Sequence, residues 1–295
     1  MINKFRPFSF SLKQRDKIAY KDIFLALLVW STAFFVTGVF LWILFDIFWH
    51  GSRQISWAFL TGKTLDSGRT GGIAPILVST LLLLGICLVV ALPLGLGTAI
   101  LLAEFTPTDH WFGRLIRFSL DILAGVPSIV FGLFGNAFFS IVLGLGFSLF
   151  SGGLTLACMV LPILIRSIEK GLRGVPNDYR LSAASLGLSR TATLTKLLLP
   201  AAVPSVVAGL ILGIGRAMAE TAALIYTSGN VYRMPESLFD SGRSLSLHIY
   251  DLSMNVPGGD DNAYASALVL VFLLLAIDTT AIWITEKLLR EKIQN

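Results

Sequence analysis

Apolar residues in this chain gather in long unbroken blocks rather than alternating with polar ones. Six blocks stand out, at residues 23–49, 73–103, 118–143, 151–168, 201–226 and 263–285. A helix needs about 20 mostly apolar residues to cross the hydrocarbon core of a bilayer. The fourth block is shorter and contains Pro162, so it is expected to continue as a helix beyond the bilayer. The pattern predicts an all-α integral membrane protein with six transmembrane helices. It leaves a polar tail at 1–22, a moderate loop at 50–72, connections at 104–117 and 169–200, a longer loop at 227–262, and a short tail at 286–295.

Composition agrees: 55% of residues are hydrophobic and only 14% charged, with mean hydropathy +0.77. Soluble domains carry about 25% charged residues. The net charge of +5 does not point to nucleic acid, because the basic residues sit mainly at the ends of apolar blocks. Seventeen Lys and Arg fall in residues 1–22, 104–117, 166–200 and 286–295, against five in the alternate loops (Arg53, Lys63, Arg69, Arg233 and Arg243). The positive-inside rule then places both termini in the cytoplasm. The first block lacks a small-residue cleavage site and is expected to be a retained anchor. Cys87 and Cys158 lie inside apolar blocks without metal-ligand spacing. Asp46, Asp121, Asp278 and Glu104, near block ends, are expected to be interfacial or paired carboxylates.

Two segments carry chemistry. In the 169–200 connection, residues 178–186 read as a short helix, Gly187 as its C-cap, and residues 190–198 as a second helix, with Leu199 and Pro200 before the next span. Glycine suits a cap that needs a left-handed backbone. Small side chains at Ser182, Ala183 and Ala184 let another surface approach; an ordinary amphipathic loop fits the same residues. In the fifth span, Arg216 and Glu220 lie four residues apart, so on one helix they share a face and can pair. Charges within a bilayer normally face the bundle or a water-filled path. The residues leave open whether this is a structural ion pair or part of an anion path with Thr221. Gly209 and Gly213 form a G-x-x-x-G that permits close helix contact. Gly125, Pro127, Gly132 and Gly135 make the third span bendable.

These segments resemble a known family. Residues 181–187, followed by Leu199 and Pro200, resemble the E-A-A-x-x-x-G loop of ABC importer permeases, with Leu181 standing at the glutamate position. Residues 215–221 resemble the R-x-x-G-E-T segment of phosphate permeases, with Ala219 at the usual glycine. Residues 71–75, 92–95, 102–104, 123–135, 235–238 and 247–250 extend the likeness over about residues 70 to 286, favouring the PstA type over the sister PstC type. The resemblance implies a type I importer permease with its transmembrane domain over 73–285. It implies an ATPase dimer of the PstB type contacted through Asp178, Leu181, Ser182, Ala183, Ala184 and Gly187. It implies a PstC-type heterodimer partner, a PstS-type phosphate-binding protein, and location in a bacterial inner membrane. Arg216, Glu220 and Thr221 would line the substrate path. Permeases for molybdate, sulfate or a phosphonate remain alternatives.

Enzyme signatures are lacking. Residues 62–64 end like a phosphate-binding loop, but Trp57 occupies the required upstream glycine position. No cofactor or metal is expected in this chain; ATP and Mg belong to the ATPase partner. His50, His110 and His248 are isolated, and no hydrolase motif accompanies them. A membrane enzyme, or a carrier working without an ATPase, is the reading from another class.

Overall fold

The computed structural model describes residues 20–107 and 109–294, with side chains for 23–107 and 109–287. Lys4, Arg6, Lys13, Arg15, Lys17, Lys21, Arg290 and Lys292, used above for orientation, lie outside the described side chains. The chain forms two compact units, Met1–Asp46 and Ile47–Asn295. The described part of the first belongs to α1 (Tyr20–Gly51). Phe24, Trp30, Phe34, Phe35, Phe40 and Trp42 make α1 apolar round its whole circumference, as a helix in lipid is.

The second unit takes in the end of α1 and continues with α2 (Trp57–Thr61) and a tight hairpin of β1 (Thr64–Leu65) and β2 (Thr70–Gly71). Thr64 pairs with Gly71 and Leu65 with Thr70. Then come α3 (Ala74–Ile100), α4 (Trp111–Gly125), α5 (Ser128–Gly135), α6 (Leu149–Gly174), α7 (Asn177–Ser185) and α8 (Arg190–Thr193). The chain ends with α9 (Leu199–Ala219), α10 (Ala222–Ile225), α11 (Leu245–Met254) and α12 (Asp260–Gln294). Wide π turns extend α3 through Leu101–Phe105 and α5 through Asn136–Val142. Among the described residues five helices are long and apolar enough to cross a membrane, and the bent pair Trp111–Gly125 with Ser128–Val142 makes a sixth.

The core lies where α3, α6 and α9 meet. Leu83, Cys87 and Ala91 pack against Leu156, Val160, Leu164 and Ile168, and these against Ile214, Ala217 and Met218. Lipid removes the usual hydrophobic drive between helices, so close packing of small residues must supply the attraction. The expected G-x-x-x-G does this: a Cβ on Gly213 would stand 2.6 Å from Val160 Cγ1, and one on Gly209 would stand 2.8 Å from Ser167 Cβ.

The structure corrects three expectations. The third span is not one helix over 118–143: α4 and α5 meet at 103°, because Pro127, which has no N–H to donate, holds Val126 extended. Pro200 does not separate two helices. A π turn at Leu194–Leu198 absorbs its missing donor, and helix runs through Arg190–Ala219. The fifth span does not stay helical to residue 226; it ends at Ala219 and resumes only briefly as α10.

Candidate functional site

The break in the fifth span changes the relation of its two charged residues. Glu220 leaves the helix with an extended backbone (φ −74°, ψ 129°). Arg216 and Glu220 therefore do not share a helix face, and among the described residues no ion pair joins them. The Glu220 carboxylate turns forward instead, its Oε1 accepting the Ala223 N–H at 3.0 Å. Its carbonyl accepts the Ser246 hydroxyl at 2.5 Å. These bonds satisfy backbone groups that a break inside an apolar span would otherwise orphan. Irregular backbone at membrane depth is tolerated where protein covers it or where it borders a watery cavity. Thr221, partly buried, starts α10 without a side-chain cap bond. The α5 segment presses on this turn: a Cβ on Gly132 would lie 2.8 Å from Ala223 Cα. Pro127 stands at the N-terminus of α5 and sets its entry angle.

Arg216 occupies the last turn of α9. Its Nε is buried and has no hydrogen-bond partner. The carbonyl end of α9 offsets a fraction of its charge, but among the described residues no carboxylate pairs with it. A planar guanidinium fork in this position can hold a tetrahedral oxyanion through two donors.

A second arginine cluster escaped the sequence reading. Arg243 is 3% exposed. It pairs with Asp251 at 3.0 Å, donates to the Ser67 and Asn230 carbonyls at 3.2 and 3.3 Å, and lies over the Tyr232 ring. Its Nη1 also meets His248 Nδ1 at 3.2 Å. Arginine can only donate, so His248 accepts at Nδ1 and carries its proton at Nε2. Burial first, and the neighbouring Arg243 charge second, push the His248 pKa down to about 3. Asn262 donates to the Gly68 and Arg69 carbonyls at 2.9 Å each. Together Arg243 and Asn262 hold the hairpin turn, where Asp66 and Ser67 take left-handed φ values of 46° and 59°.

At the far end of α3, about 45 Å away at about 1.5 Å per residue, lies the small-residue helix. Its C-terminus closes in a Schellman pattern: Leu188 N–H bonds the Ala183 carbonyl and Gly187 N–H the Ala184 carbonyl, both at 3.0 Å. Gly187 has φ +70°, which a side chain would strain. Ala183 is buried, while Asp178, Ser182 and Ala184 are exposed. Leu181 is exposed at 60% and Leu186 at 78%. Four arginines from three helices gather behind this element. Glu169 accepts from Arg117 Nε at 2.8 Å and Arg173 Nε at 3.1 Å. Arg166 pairs with Asp121. Arg180 pairs with Glu104 through both carboxylate oxygens, at 2.5 and 3.2 Å. Glu104 and Asp121 are thus paired carboxylates. Their partners lie 76 and 45 positions away along the chain, a separation that residue spacing cannot reveal.

Comparison with known proteins fits this architecture. Residues 91–291 match the family described as "Binding-protein-dependent transport system inner membrane component". The "Probable ABC transporter permease protein YqgI" of Bacillus subtilis is 31% identical over 84% of this chain and 88% of its own length. The "Phosphate transport system permease protein PstA 1" of Mycobacterium tuberculosis is 30% identical, covering 94% and 90%. The "Phosphate transport system permease protein PstC" of Haemophilus influenzae is also 30% identical, covering 83% and 84%. The resemblance to PstA-type permeases is therefore carried by most of the chain and not only by its motifs. Among solved structures, a bacterial ABC transporter importing the acidic polysaccharide alginate matches with TM-score 0.61 at 15% identity, over 92% of this chain and 99% of that one. The MetNI methionine transporter matches with TM-score 0.57 at 16% identity, over 73% and 96%. At such identities these two speak for the fold alone, that of type I ABC importer permeases. The chain belongs to the family of binding-protein-dependent transport system inner membrane components, as a multi-pass ABC transporter permease subunit.

Proposed function

We propose that this chain is the PstA-type half of a phosphate importer in a bacterial inner membrane, and that Arg216 is its anion contact. The observation that carries this reading is an arginine with a buried, unpartnered Nε and, among the described residues, no carboxylate partner, in a span that breaks four residues later. A cation in a low-dielectric span without a counter-ion is costly; a passing oxyanion supplies the missing charge only while it is bound. Glu220, turned away toward Ala223, leaves that charge uncompensated, and the backbone break at 220–221 gives the span a point at which to move. Phosphate as the substrate is supported by relatives named as phosphate permeases.

The family supports a reading of the partners. A PstC-type permease completes the heterodimer. A PstB-type ATPase dimer docks on α7, Gly187 and α8 at the cytoplasmic end. A PstS-type binding protein delivers phosphate at the opposite face, formed by the 50–72 and 227–262 loops. ATP and Mg bind the ATPase, not this chain. Transport then proceeds by alternating access, the ATPase dimer closing and opening against the coupling element while the spans rock about the Arg216 path. The PstC relative at equal identity keeps the sister subunit as a second reading.

The test is ATP-driven uptake of radiolabelled phosphate into vesicles holding all four components, with excess sulfate or molybdate outside. Phosphate accumulation that survives both competitors is expected. Accumulation of another oxyanion in its place would keep the permease and overturn the substrate.

A further inference from the structure

The helix that faces the proposed ATPase is joined to the rest of the chain by very little backbone. Between α6 and α7 stand only Val175 (φ −67°, ψ 127°) and Pro176 (φ −53°, ψ 142°), both outside the helices. The one backbone bond closing the end of α6 here, Val175 N–H to the Leu172 carbonyl, is long at 3.4 Å. Left to the backbone, α7 would swivel about this link. A push on its exposed Tyr179 and Leu181 would then be lost in rotation.

Arg180 spans the link. Its guanidinium donates to the Leu172 carbonyl of α6 at 2.9 Å and to the Val175 carbonyl, in the link itself, at 3.0 Å. The same group grips both oxygens of Glu104, at 2.5 and 3.2 Å. Glu104 sits in the π turn that ends α3, and π turns recur at functional positions. That turn is held in its own right: the Leu102 carbonyl accepts from Arg173 at 2.7 Å and from Arg117 at 3.3 Å. The planar fork of arginine fits a carboxylate in two places at once and fixes its angle, which a lysine cannot do. On the other side of Gly187 the connection is of another kind, because α8 runs without a break into α9, the helix that carries Arg216. The small-residue element is therefore held on both sides, through Arg180 on one and through continuous helix on the other.

We infer that the Arg180–Glu104 pair is the joint that transmits displacement of α7 into α3 and α6, so that both are positioning residues for transport. The inference rests on the importer reading above and names the linkage inside this chain through which ATP hydrolysis would drive it.

The experiment measures phosphate imported per ATP hydrolysed by the reconstituted four-component complex carrying Glu104→Gln or Arg180→Lys. Arg180→Lys keeps the charge and loses the fork, so it disturbs assembly least. Both variants are expected to assemble and hydrolyse ATP, with the import ratio falling on the order of tenfold. A third complex, carrying Glu104→Cys with Arg180→Cys, should regain the ratio when a short bis-maleimide bridges the two thiols. An unchanged ratio in both single variants would overturn the joint. So would import and hydrolysis falling in step in assembled complexes, since that is what mere loss of packing does. A wild-type complex without ATP-dependent anion uptake would instead fail the importer reading, before any variant is compared.

Discussion

Arg216, half-buried, and Arg243, buried, are both cations within the fold, and they differ in the carboxylate beside them. Arg243 has a carboxylate at 3.0 Å, two carbonyls and an aromatic face. The Nε of each is buried without a hydrogen-bond partner, but among the described residues Arg216 has no carboxylate beside it. A buried arginine partnered at both Nη atoms fastens parts together: here it ties the hairpin turn at Ser67 to the loop at Asn230 and to α11 through Asp251. An unpartnered one is expensive to keep, and the expense is understandable where a mobile anion completes it. The contrast argues that Arg243 is architectural and that Arg216 belongs to the transport path.

The strongest way to break the comparison is to empty the Arg243 position. Arg243→Ala leaves Asp251 buried without its cation, and removing one member of a buried pair costs about 3–5 kcal/mol. Thermal unfolding of the purified complex should shift down markedly, and assembly should fall with it. A variant of wild-type stability would mean that the hub is ornamental and the contrast empty. A smaller effect is expected where α9 meets α6. Gly213→Leu overpacks against Val160, at a cost of about 1–3 kcal/mol. It displaces the helix carrying Arg216 and leaves the Arg243 hub untouched, so uptake should drop more than assembly does. Equal losses would show no special role for this contact.

The smallest effect concerns acid. His248 lies in α11, outside the spans, facing Arg243 and Asp251, with its folded pKa pushed down to about 3 by burial and by Arg243. The unfolded value is about 6.5. A lowered histidine pKa favours the neutral form in the fold, so its stabilisation is full above pH 6.5 and is lost as pH falls from there toward 3. Between pH 7 and pH 5 the loss approaches about 2 kcal/mol, with one pH unit worth about 1.4 kcal/mol. Unfolding scans of the wild-type complex should show this slope, and His248→Gln should flatten it. A wild-type slope equal to that of the variant would contradict a buried neutral histidine.

What the sequence disclosed follows from the range of the forces involved. Apolar blocks reveal spans because lipid demands about 20 such residues in a row. The helix–Gly187–helix element is legible because its determinants are local: a run of small helix formers and one residue at φ +70°. The break at Glu220 was hidden. No proline or glycine marks residues 219–221; a tertiary bond from Ser246 to the Glu220 carbonyl and a local one from Ala223 N–H to its carboxylate hold the backbone open. The four-residue spacing therefore suggested a pair that does not form. The 103° turn in the third span showed only as glycines and Pro127, which permit a bend without setting its size. The Arg180–Glu104 and Arg243–Asp251 pairs could not be seen at all, because Lys and Arg near span ends look alike until the chain folds.

The most direct test of the account compares Arg216→Ala and Arg216→Lys with wild type in the reconstituted four-component complex, measuring ATP-dependent phosphate uptake alongside assembly and ATP hydrolysis. The account predicts assembled complexes in which Ala abolishes uptake and Lys retains a small part of it, since lysine keeps the charge and loses the fork. Wild-type uptake by Arg216→Ala would contradict the anion-contact role of Arg216.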